Sequence, residues 1–175
     1  AVLLAAARHL RVHGRLTNDT VVVTVMSNLG LLRALDALGF RAEVTAVGDK
    51  NVWQGMKKTG AVLGGEPSGH VIFRDFLPTG DGLLTALQVA ALLVETGQRF
   101  SSLTSLAVHY PQVLLNVPVK DRRPLDKIPH FNKSLAAVNA ALGETGRTLV
   151  RYSGTELLLR IMVEGPDRSV IQAHA

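Results

Sequence analysis

The sequence predicts an α/β layer built on a mixed, mostly parallel sheet, followed by a small α+β domain. Three observations carry this. The β-branched run Val21-Val22-Val23-Thr24-Val25 reads as a strand buried on both faces, as parallel sheets require. Strand-like and helix-like segments then alternate to about residue 110. Beyond Pro111 the rhythm changes to strand, helix, strand, strand, helix.

After the first strand, Ser27-Asn28 offers a helix N-cap, Leu31, Leu32, Leu35 and Leu38 recur at helical spacing, and Gly39 closes the helix. Residues 41–47 return as a strand. Asp49 is expected to cap a short helix through Val52, Trp53 and Met56, ending near Gly60, with Trp53 and Met56 packing in the core. Two short strands, 62–63 and 70–73, flank the turn Gly64-Gly65-Glu66-Pro67-Ser68-Gly69. Asp81 opens an apolar helix over 83–94 that stops at Gly97, and residues 101–109 read as a further short helix. The segment Tyr110-Pro111-Gln112 is a domain joint, because proline neither continues a helix nor donates into a sheet. The expected domains are therefore 1–110 and 111–175. In the second, strands are expected at 113–119, 147–152 and 157–163, and helices at 132–142 and after Pro166-Asp167. The opening AVLLAAARHLRVHG has its basic residues after the apolar run, the reverse of a secretory signal. It reads as the tail of a helix at a fragment boundary.

Composition bounds the function. The 175 residues suffice for one medium or two small domains, and 47% apolar with 19% charged residues is a globular balance. Lys and Arg outnumber Asp and Glu 19 to 14, an excess that suits an anionic ligand, sugar phosphate or nucleic acid alike. With no cysteine, disulfides and Cys-ligated zinc are excluded, and a reducing, cytoplasmic location is expected. The longest apolar stretch, 83–94, is interrupted by Thr85 and Gln88 and is too short to span a bilayer, so no membrane partner is expected. Basic residues are spread along the chain with no aromatic stacking surface, which argues against a nucleic-acid partner.

Three segments could carry chemistry. Arg151-Tyr152-Ser153-Gly154-Thr155-Glu156, with Arg160 following, sets hydroxyls around a glycine turn beside guanidinium groups, the donors a phosphate dianion needs. From the residues alone, an ordinary hairpin with exposed arginines is the favoured account. In Gly64-Gly65-Glu66-Pro67-Ser68-Gly69-His70, alternation along an extended segment would place Glu66, Ser68 and His70 on one side. A carboxylate and a hydroxyl there could read sugar hydroxyls, and His70 could hold a phosphate or move a proton. A glycine-rich hairpin with polar tips accounts for it equally well. Lys50, after Val47-Gly48-Asp49 at a strand end, could meet a phosphate, although a solvated lysine beside a capping Asp is the simpler reading. No metal site is expected in this chain: Thr79-Gly80-Asp81-Gly82 supplies one carboxylate, better used as a helix cap, and the six histidines are read as lacking paired ligand spacing. Lys57-Lys58 and Arg122-Arg123 read as solvated faces.

Taken in order, these segments resemble the α-D-phosphohexomutase family. The match runs through Thr24-Val25-Met26-Ser27-Asn28, Val47-Gly48-Asp49, the Gly64–His70 run, Thr79-Gly80-Asp81-Gly82, and the 151–156 segment with Arg160, Met162, Val163, Glu164 and Gly165. The resemblance implies the third and fourth of that family's four domains, the fourth similar to the TATA-binding-protein fold. The family's phosphoserine loop and its Asp-Gly-Asp-x-Asp-Arg magnesium loop belong to its first two domains and are not in this sequence. The closest branch isomerises glucosamine 6-phosphate to glucosamine 1-phosphate through a phosphoserine and a bisphosphate intermediate, on the route to peptidoglycan. It implies Mg2+ held outside this chain, a glucose or glucosamine 1,6-bisphosphate type activator, a hexosamine phosphate substrate, and two preceding domains as partners.

Residue by residue, the resemblance implies that Glu66 and Ser68 hold the sugar hydroxyls. Arg151, Ser153, Gly154, Thr155 and Arg160 would clamp the non-reacting phosphate, and Lys50 and His70 would support the reacting end. Without the serine, the chain alone is expected to be inactive. Two positions depart from the family pattern: Leu157 stands for a proline, and Lys50 for an arginine. The alternatives are a relative acting on glucose or mannose phosphates, and a non-catalytic sugar-phosphate-binding module.

Overall fold

A computed structural model describes residues 1–175, apart from the side chain of Thr104. It divides into two compact units, Ala1–His109 and Tyr110–Ala175.

The valine run builds the first unit. Strand β1 (Thr20–Thr24) is buried at all five positions. On one side it pairs in parallel with β2 (Arg41–Thr45), in register from Thr20↔Arg41 to Thr24↔Thr45. On the other it pairs in parallel with β3 (Leu63–Gly65), and β4 (Val71–Phe73) closes the sheet antiparallel to β3. The order β2-β1-β3-β4 is thus mixed and mostly parallel.

Side-chain alternation along β1 separates two cores. Val21 and Val23 pack with Leu4 and Leu10 of α1 (Val2–Val12), Leu35 of α2 (Leu29–Ala37), Phe40 and Leu63. Val22 faces the opposite way, onto Val52 and Met56 of α3 (Asp49–Thr59), with Trp53 packed against them. Each such fully buried side chain stabilises the fold by roughly 1.5–3 kcal/mol. Helix α3 sits close to the strands because two contact positions lack a side chain. A Cβ on Gly64 would come within 2.8 Å of the Met56 sulfur, and one on Gly55 within 2.8 Å of Thr45 Cγ2. Helix α4 (Gly82–Thr96) packs through Val89 and Leu92 on Ala5 of α1 and on Leu103 of the 3-10 helix Phe100–Leu106.

Capping follows the sequence in most places. Asn28 accepts from Gly30 N–H at 3.0 Å, and Asp81 accepts from Leu84 N–H at 2.6 Å. Gly97 ends α4 with φ 64°, a left-handed turn that glycine adopts without strain. Helix α3 differs. Its N-cap is Gly48, at φ 116°, and Asp49 is the first helical residue, its carboxylate directed elsewhere. The opening segment packs inward: α1 contributes Leu3, Leu4, Ala5, Ala6, Ala7 and Leu10 to the buried interior. Helix α4, the most continuous apolar stretch, is not enclosed, since Leu83 and Val94 are 72% and 83% exposed. Among the described residues, no helix is long and apolar enough to cross a membrane.

The second unit is a three-stranded antiparallel sheet ordered β5-β7-β6, from β5 (Gln112–Pro118), β6 (Arg147–Tyr152) and β7 (Leu158–Glu164). Helices α5 (Phe131–Leu142) and α6 (Arg168–His174) cover a core of Val113, Leu142, Val163 and Ile171. Asp167 caps α6, accepting from Ser169 and Val170 N–H. At the sheet's end, Gln112, Glu164 and Arg147 stand in one row across the three strands. Glu164 is fully buried; Arg147 Nε donates to one of its carboxylate oxygens at 2.7 Å and Gln112 Nε2 to the other at 2.9 Å.

Candidate functional site

In the first unit, the β3–β4 turn gathers polar side chains. Glu66 N–H donates to His70 carbonyl at 2.9 Å and Gly69 N–H to Glu66 carbonyl at 3.1 Å, so residues 66–70 form a closed turn. The extended geometry expected from alternation is absent, yet the side chains converge because the turn folds them together. Ser68 Oγ lies 3.0 Å from His70 Nδ1. The half-buried Glu66 accepts from Gly48 N–H at 3.3 Å, which brings the turn onto the N-terminus of α3. His70 Nε2 approaches Asp49 at 3.9 Å, and the ligand atoms of Asp49, Glu66 and His70 all lie within 4.8 Å of one another.

Asp49 is the residue that sequence reasoning assigned elsewhere. Its Oδ1 is buried without a hydrogen-bond partner, whereas a capping role would have satisfied it. Lys50, the second residue of α3, is exposed. Gly80 and Gly65 shape the wall: a Cβ on Gly80 would meet His70 Cβ at 3.0 Å, and one on Gly65 would meet His70 carbonyl at 2.6 Å.

In the second unit, the β6–β7 connection brings the other predicted residues together. Arg151 and Arg160 are register partners, so both side chains project from the same face. Arg160 donates to Glu156 at 2.7 Å, and its Nε is buried without a partner. Ser153 is 2% exposed, and its hydroxyl accepts from Glu156 N–H at 3.3 Å, bracing the turn. Gly154 and Thr155 are exposed at the tip. Arg122 departs from its expected role as a solvated cation. It donates to the carbonyls of Gly154 and Glu156, both at 3.2 Å, and so holds the turn from 32 residues away. Tyr152 hydroxyl likewise donates to Arg123 carbonyl at 2.6 Å. Separations of this size leave no spacing signal for a sequence reading to find.

A further cluster lies on α1 and α4. His9 Nε2 and His13 Nε2 stand 3.3 and 3.4 Å from Glu95 Oε2. The reading that no histidines share ligand spacing is therefore corrected: His9 and His13 are one helical turn apart. The signal was present as His-x-x-x-His within an apolar helix. Burial, then the neighbouring His13, hold the His9 imidazole below its ordinary pKa, with Glu95 opposing. The cleft beside it, about 220 Å³, shares no lining residue with the 66–70 turn.

Neither cluster suits magnesium. Mg2+ takes an octahedral shell of oxygens, and each of these sets includes imidazole nitrogen.

Two family models match the chain. The phosphoglucomutase/phosphomannomutase alpha/beta/alpha domain III covers residues 1–110, and the C-terminal domain of the same family covers 114–175. The chain belongs to the phosphoglucomutase/phosphomannomutase family. Among members of this family, the chain is 48% identical over 174 residues to a phosphoglucosamine mutase of Desulforapulum autotrophicum, matching 99% of this chain and 38% of that protein. It is 50% identical over 175 residues to the phosphoglucosamine mutase of Solibacter usitatus, matching 100% of this chain and 39% of that protein. The chain thus spans under two-fifths of the length of these curated relatives. In fold it resembles the crystal structure of Aspergillus fumigatus N-acetylphosphoglucosamine mutase in complex with GlcNAc-6P and magnesium. That likeness has a TM-score of 0.81 at 20% identity and covers 99% of this chain and 41% of that one.

Proposed function

We propose that this chain supplies the sugar- and phosphate-binding part of a phosphoglucosamine mutase that interconverts glucosamine 6-phosphate and glucosamine 1-phosphate. The observation that carries the reading is the Arg151–Arg160 pair. Two guanidiniums on one sheet face, beside a turn that exposes Gly154 and Thr155, form a cradle for a phosphate dianion.

In this reading Arg151, Arg160, Thr155 and the backbone of Gly154 hold the non-reacting phosphate. Ser153 shapes that turn and keeps its hydroxyl proton to donate. Glu66 and Ser68 accept from and donate to sugar hydroxyls, and Glu66 is already oriented by Gly48 N–H. His70, aligned by Ser68 on one nitrogen and Asp49 on the other, holds or moves a proton near the reacting phosphate, and Lys50 adds positive charge there. Positioning and charge stabilisation dominate phosphoryl transfer, so such residues govern the rate without forming bonds. The phosphoserine and magnesium of the relatives' chemistry lie outside this chain in this reading, and in a reducing cytoplasm the whole enzyme would use a 1,6-bisphosphate activator.

The test is a titration of the 175-residue chain with glucosamine 6-phosphate, followed by a turnover assay. Binding that weakens by roughly 1.5–3 kcal/mol in Arg151→Ala, with no turnover by the chain alone, is the expected result. Undiminished binding in both Arg151→Ala and Glu66→Ala, or turnover by the chain itself, would overturn it. Comparison with glucose and mannose 6-phosphates in the longer enzyme separates the glucosamine branch from its relatives.

A further inference from the structure

We propose that His9, His13 and Glu95 form a binding site for a divalent transition metal, Zn2+ by its chemistry, that clips α1 to α4.

The geometry favours a shared metal over a direct ion pair. The two imidazole-to-carboxylate separations, 3.3 and 3.4 Å, are longer than the 2.7–2.9 Å of a charge-assisted hydrogen bond. Metal–ligand bonds of about 2.0–2.1 Å in a tetrahedral shell place neighbouring donor atoms roughly 3.3–3.4 Å apart. The three ligand atoms already lie within 4.8 Å of one another, so closing the shell needs only a small rotation of the rings.

The tautomer is set as well. His13 Nδ1 lies 2.8 Å from the His9 backbone carbonyl, which has only acceptor capacity, so the ring proton sits on Nδ1. The Nε2 lone pair is thereby turned toward Glu95. Anchoring a ligand imidazole through its other nitrogen in this way is the usual support of a metal-bound histidine. Two imidazoles with one carboxylate suit zinc, copper or nickel rather than calcium or magnesium. Three protein ligands leave a fourth position, and the adjoining cleft of about 220 Å³, lined by Arg8, Thr96 and Gln98 as well as the histidines, gives water or a small anion access to it.

The experiment titrates the metal-free 175-residue chain with ZnCl2 by calorimetry and with CoCl2 by visible absorption. The expected result is one metal per chain, a tetrahedral cobalt spectrum, and affinity reduced roughly tenfold or more in both His13→Gln and Glu95→Gln. His130→Ala, distant in sequence from the cluster, is expected to leave binding intact. Circular dichroism of each variant verifies that it is folded, and Glu95→Gln, at an exposed position, serves if His13→Gln is not. No binding, or binding that survives both substitutions, overturns the site. Binding abolished by His70→Gln instead assigns the metal to the 66–70 turn and also overturns it.

Discussion

Arg151 on β6 and Arg160 on β7 stand directly opposite one another across an antiparallel ladder, two cations sharing one face. Like charges so placed destabilise a sheet, and Glu156 offsets only the Arg160 side. An anion bound between the two guanidiniums would remove that cost. Arg151→Gln is therefore expected to leave the ligand-free chain equally stable or firmer by roughly 0.2–1 kcal/mol. The same change should abolish the rise in melting temperature produced by inorganic phosphate. A loss of ligand-free stability with the phosphate response retained would contradict this account.

The buried carboxylate of Glu164 makes Arg147 critical to the stability of the second unit. Arg147→Met is expected to cost about 3–5 kcal/mol, since it removes the cationic partner of a carboxylate buried in the interior. The double variant with Glu164→Gln should recover most of that loss. Urea unfolding followed by signals from the second unit measures both.

Removing the Asp81 cap is a smaller effect. Asp81→Ala is expected to cost roughly 1 kcal/mol through the freed Leu84 N–H, while Asp81→Asn or Ser keeps most of the cap. Equal stability of the Ala variant in chemical denaturation would remove the capping role.

Asp167 supplies the acid-sensitive element. Hydrogen bonds from the Ser169 side chain, then from the Val170 and Ser169 N–H groups, hold its carboxyl below the ordinary 3.8. A carboxyl depressed by folding contributes stability that is complete above its unfolded pKa and is lost as the pH falls through the folded one. Helix α6 should accordingly loosen in the acid limb below pH 3.8. Asp167→Asn should remove that acid dependence from amide exchange in α6 while retaining the cap.

Much of the fold was legible because it rests on local signals. The valine run, the Asn28 and Asp81 caps and the closing glycines each act within a turn or a strand, and the structure has them where expected. The two loops were legible for the same reason, as each groups its residues within a few positions. What escaped lies at long range. Arg122 reaches the 153–156 turn across more than thirty residues, and Asp49 meets Glu66 and His70 only after the sheet forms. The His9–His13 pair is different, since it was local and was passed over inside an apolar helix. Glu66, Ser68 and His70 do converge, but through a closed turn and not along the extended segment that alternation implied.

The row Gln112–Glu164–Arg147 also acts as an index pin for the small sheet. Sliding any strand by one position would carry the carboxylate away from its donors and turn every neighbouring side chain onto the opposite face. Strands far apart in the chain, as β5 and β7 are with α5 and β6 between them, can thus lock together in a single alignment.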